Sequence, residues 1–155
     1  MTPFGIRKRI KAALGLGSPK AEIVRFPITY VLPDGTEQVV QAEERYTVLM
    51  ASQGLASPIS TGRRAGGTCP DGYCDLCRVE VIDARGLSEM TDYEQKVMAD
   101  HTAGMPHEGR PRAAAPAPGP NTRLACHARI IGPGATVKVA ALVDFEALRG
   151  EEDGW

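Results

Sequence analysis

The chain has 155 residues, enough for one compact domain with extensions and too few for two independent cores. Hydrophobic residues at 43% fit a globular protein, aromatics at 5% leave the core to aliphatic and small side chains, and no apolar run is long enough to span a bilayer. The net charge of −1 divides into +5 over residues 1–20 and −6 over the rest, so the body is mildly acidic: ill-suited to nucleic acid and suited to a basic protein partner.

The opening "MTPFGIRKRIKAALGLGSPK" carries Arg7, Lys8, Arg9, Lys11 and Lys20 without an acid, and "AALGLG" is too weak an apolar stretch for a secretory signal. Residues 1–20 read as a basic amphipathic arm, either solvated or docked on a protein or membrane surface, with an organelle transit sequence as the lesser alternative, and the chain is expected to be cytoplasmic. Glu22 to Val40 reads as a hairpin: "EIVRFPITYVL", a "PDG" turn and the return strand "TEQVVQ". Pro27 places its stretch at an edge or bulge. Val48, Leu49 and Ala51 to Ser52 suit a short helix that Gly54 ends and that packs on the hairpin.

Ser57 to Cys77 has no periodicity and reads as a loop. "CRVEVID" alternates as a strand, and Thr91 with Glu94 has the capping-box spacing that starts a second helix in "TDYEQKVMAD". Residues 104–121, with Pro106, Pro111, Pro116, Pro118 and Pro120, predict extended, weakly structured chain. "TRLACHARII" and "ATVKVAALV" predict two late strands around the turn "GPG", before the acidic tail 146–155. Together these elements predict one α+β domain with a small mixed sheet over residues 21–145.

All four cysteines fall in one pattern: Cys69, Cys74 and Cys77 as C-x4-C-x2-C, then Cys126 after 48 intervening residues. A disulfide framework fits poorly, because the chain is neither small nor cysteine-dense. Structural zinc prefers two close pairs, and a nucleophilic cysteine needs one thiol and a base. The plant-type two-iron pattern fits every position, since four soft thiolates complete a tetrahedron at each of two sulfide-bridged irons. Gly66, Gly67 and Gly72 flank the thiols and let backbone amides approach a negatively charged group, so they are candidate cofactor-binding positions.

"GGTCPDGYCDLCRVEV" with "RLACHARI" resembles the plant-type [2Fe–2S] ferredoxin family. The resemblance covers roughly residues 22–143 and implies the β-grasp (ubiquitin-like) fold, with a long insertion, about 88–121, between the third and fourth cysteines. It implies one [2Fe–2S] cluster per chain, with Cys69 and Cys74 on the outer iron and Cys77 and Cys126 on the inner one. "YTVLMASQGL" and "LSEMTDYEQ" resemble the family's short helix and its "LS-x-M-T-x-x-E" stretch. Within the family, "C-x-DG-x-C" and "RLAC" are closest to the Shethna-type branch, some members of which shield nitrogenase from oxygen by docking onto it. The Ala/Pro composition of residues 111–120 and the basic arm depart from that branch.

The function expected is one-electron transfer between redox partners, a ferredoxin reductase and an acceptor oxidoreductase, at a potential near about −400 mV. The alternatives are a protective ferredoxin shielding an oxygen-sensitive enzyme, or a detached electron-transfer subunit of an oxygenase or dehydrogenase complex. No nucleophile–base pair, nucleotide loop or substrate motif points to an enzyme. Asp75, between Cys74 and Cys77, is a second departure from the family; turned towards the cluster, its carboxylate would oppose added negative charge and lower the potential. His127 reads as a surface side chain or one packed near the site, and His101 and His107 as solvated loop histidines.

Overall fold

A computed structural model describes residues 21–56, 59, 77–106, 109, 111 and 114–139. The elements are β1 (Arg25–Val31), β2 (Glu37–Glu43), α1 (Val48–Ala51) running into a 3-10 turn (Ser52–Gly54), β3 (Arg78–Asp83), α2 (Asp92–Thr102), β4 (Thr122–Leu124) and β5 (Ala135–Val139). They form a five-stranded mixed sheet in the order β2-β1-β5-β3-β4, the β-grasp arrangement, in which only β1 and β5 pair in parallel.

The hairpin closes as its residues require. Asp34 Oδ1 accepts the Thr36 amide at 2.8 Å, which holds the carboxyl below its ordinary range, and Gly35 takes φ 87°. Pro27 pairs with Gln41 of β2, while the β1–β5 ladder begins only at Ile28, so the missing N–H falls where β1 has one neighbour. Alternation puts Ile28 and Tyr30 of β1, Val79 and Val81 of β3 and Val137 and Val139 of β5 into one core with Val48 and Leu49 of α1 and Val97 and Met98 of α2. Tyr30 Oη donates to the Val48 carbonyl at 2.6 Å, pinning α1 to the hairpin, and burial pushes its phenol up.

Three expectations change. "TRLACHARII" is not one strand: β4 ends at Leu124, whose carbonyl accepts the His127 and Ala128 amides at 3.0 Å each, so the chain turns at Cys126 and continues only as isolated bridges, Arg129 to Thr47 and Ile130 to Leu87. At α2, Thr91 Oγ1 does accept the Glu94 amide at 3.2 Å, but the Glu94 carboxylate turns into the core instead of back to the cap. His101 is 6% exposed in the last turn of α2, not a solvated loop residue, and His107 lies outside the described residues. Among the described residues no helix is long and apolar enough to cross a membrane.

Candidate metal centre

Cys77 stands immediately before β3 with no exposed surface, and Cys126 stands half-buried in the turn after β4. The antiparallel register Arg78↔Leu124 brings these two ends together, and the Ala125 amide donates to the Cys77 carbonyl at 3.0 Å. The two thiols thus meet across 48 intervening residues. A hydrogen bond between them holds the Cys77 thiol below its ordinary range, and backbone amides of Cys126 and Ala125 act in the same direction against its burial. Two soft donors in contact, in surroundings that favour the thiolate, fit one half of a two-iron ligand set.

Three pieces of structure fix the Cys126 turn. The free amides at the start of α1 dock on it: Val48 N donates to Ala128 O and Leu49 N to Ala125 O, both at 2.9 Å, while the Thr47 hydroxyl caps Met50 N. On the far side, Arg45 N donates to Ile130 O at 2.7 Å and Ile130 N to Tyr46 O at 2.8 Å. Beneath it lies a buried ion pair, in which Glu94 is 0% and Arg123 9% exposed. Glu94 Oε1 accepts Arg123 Nε at 2.8 Å and the Leu124 amide at 2.8 Å, and Oε2 accepts Arg123 Nη2 at 2.9 Å. Arg123 Nη1 also donates to Ser88 O at 2.7 Å, tying the approach to α2 into the same network.

Cys69, Cys74, Gly66, Gly67, Gly72 and Asp75 lie outside the described residues, and among those described no group of three or more potential metal-binding side chains is assembled. The entry to that loop is anchored at Ser52, whose buried hydroxyl donates to Leu49 O at 2.6 Å and accepts the Ile59 amide at 3.2 Å. At the rim, the Tyr93 ring, 47% exposed, meets His127 at 5.5 Å between centroids and 44° between planes. Sequence reasoning missed the Glu94–Arg123 pair, although an Arg three positions before the last cysteine, on the core-facing side of a strand, was its visible signal. It also missed Arg78, whose partner is 38 positions away.

No protein-family model matches the chain, and no curated protein matches it in sequence. Solved structures do. A ferredoxin from Rhodopseudomonas palustris superposes with a TM-score of 0.52 at 23% identity, over 74% of this chain and 95% of its own. An ISC-like [2Fe–2S] ferredoxin from Pseudomonas putida gives 0.53 at 13% identity, over 74% and 92%. A reduced putidaredoxin variant from Pseudomonas putida gives 0.50 at 22% identity, over 73% and 94%. The chain is similar to these proteins in fold.

Proposed function

We propose that this protein is a one-electron carrier holding a single [2Fe–2S] cluster on Cys69, Cys74, Cys77 and Cys126. The observation that carries the reading is the meeting of Cys77 and Cys126 at the end of a ferredoxin-like sheet, with backbone amides directed at a sulfur. When bound, the cluster supplies a site that accepts and releases one electron.

The chain's own residues bind, orient and shield. Cys77 faces the core, so one side of the site is closed to water, whereas Cys126, half-buried beside His127 and Tyr93, marks the side from which a partner approaches. The amides of Ala125 and Cys126 oppose the negative charge that four thiolates and two sulfides bring. The Glu94–Arg123 pair and the α1 amides hold the turn rigid, so little reorganisation is needed when charge is added. The ferredoxin fold of the neighbours supports a redox partner of the reductase and oxidoreductase kind.

The test is multiple turnover. Supplied with a ferredoxin reductase and reduced nicotinamide, the holoprotein passes electrons to a protein acceptor such as cytochrome c, each chain cycling many times. A cluster that is reduced but passes nothing on, in a protein that binds an oxygen-sensitive enzyme tightly only when oxidised, would instead establish the protective role.

A further inference from the structure

The chain after Val139 carries a charge pattern that neither the sheet nor the metal centre uses. Residues 140–155, "AALVDFEALRGEEDGW", hold Asp144, Glu146, Glu151, Glu152 and Asp153 against one cation, Arg149, with Leu142, Phe145 and Leu148 interleaved near the start. The surface on which this segment leaves the domain is well defined. Strand alternation turns Val79 of β3 and Val139 of β5 into the core and leaves Arg78, Glu80 and Lys138 on the opposite face. The Pro-rich run before β4 lies over that face, and a groove of about 350 Å³ separates it from the strands. Pro33 and Pro118 give the groove apolar walls, and Val139 is itself part of its lining. Two cations, Arg78 and Lys138, face one anion, Glu80. Glu80 stands opposite Lys138 in the β3–β5 ladder, yet Lys138 forms no ion pair among the described residues. Arg78 keeps its bond to the Pro116 carbonyl at 2.6 Å and supplies its charge from there.

We propose that this groove is the docking site of the chain's own residues 140–148, with the Asp144 and Glu146 carboxylates on the Lys138 and Arg78 side and the apolar side chains between them on the proline walls. Such docking is independent of what the cysteines hold. Charge selects this occupant over the basic arm, residues 1–20, which the two cations repel. Topology selects it as well: β1 runs parallel to β5, so the chain before Arg25 meets the sheet at the end away from Val139. Reach is no obstacle, because Asp144 follows Val139 by at most about 18 Å of extended chain. Ion pairs on an exposed surface are individually weak, and apolar contact adds to them. Tethering supplies the rest, since a segment on a short linker competes at about millimolar effective concentration and needs little affinity of its own. The docked tail fills the space between the Pro-rich run and the sheet, so a partner approaching this face has to displace it.

Hydrogen exchange of the full-length protein, read by mass spectrometry over residues 140–148, tests the docking. At low salt these amides are expected to exchange about tenfold more slowly than an unstructured chain of the same sequence, and the protection falls as salt rises. Lys138→Glu is expected to remove about fivefold of that protection. Asp144→Lys with Glu146→Lys, made in the tail and not in the sheet, acts in the same direction, and joining it to Lys138→Glu restores part of the protection. Exchange at the unprotected rate in the unaltered chain would overturn the proposal. So would protection that Lys138→Glu leaves unchanged, which would put the tail elsewhere on the domain. Protection that grows with protein concentration, alongside a dimer in sedimentation, would also overturn it by making a second copy's tail the occupant.

Discussion

Glu94 is a carboxylate with no exposed surface, and each of its oxygens is taken up: Oε1 by Arg123 Nε and the Leu124 amide, Oε2 by Arg123 Nη2. Such a pair is costly to bury and more costly to halve, since removing one partner strands the other charge in a medium that solvates it poorly. Glu94→Gln is therefore expected to destabilise the fold by about 3 kcal/mol, and Arg123→Met by a similar amount. The double change Glu94→Leu with Arg123→Met should lie closer to the unaltered protein than either single one, because no charge is then left alone. Denaturant unfolding of the four proteins checks this; single variants within about 0.5 kcal/mol of the parent would mean that water reaches the pair.

The turn after β3 shows how two elements can be locked by one missing side chain. Gly86 sits at φ 74°, and its carbonyl accepts the amides of Ile131 and Gly132 at 2.8 and 3.2 Å, joining this turn to the "GPG" turn before β5. A Cβ there would lie 2.1 Å from the Gly132 oxygen, which is backbone and cannot rotate away. Gly86→Ala should cost at least about 2 kcal/mol, the left-handed conformation and the displaced turn adding together. Gly35→Ala, with φ 87° but nothing within 4 Å, should cost only about 1 kcal/mol. Equal losses in denaturant unfolding would show that the two turns are not in contact. Elements written in local pattern were legible before the structure: the "PDG" hairpin, the short helix at Val48, the Thr91 cap, the alternation of β3 and the late strand β5. What was not legible depends on distant partners. "TRLACHARII" alternates like a strand, yet the Leu124 carbonyl accepts the His127 and Ala128 amides and the Cys126 turn is held by α1, a contact no local window contains. The cysteine pattern pointed to one site, and Cys77 and Cys126 do come together, but the Arg78 tie to Pro116 spans 38 positions with no periodicity to announce it.

At the scale of the whole molecule, a small mixed sheet and two helices bring together residues from opposite ends of the chain. The parallel β1–β5 pair ties the hairpin to the strand after the last cysteine, and the antiparallel β3–β4 pair carries the two described cysteines. The central claim is that the four thiols hold a two-iron cluster, and quantitative iron, sulfide and zinc analysis of the purified chain, read with paramagnetic resonance of its reduced form, tests it most directly. The account predicts two irons and two inorganic sulfides per chain with a single unpaired spin on reduction; one zinc per chain without sulfide, or a four-iron cluster, would contradict it.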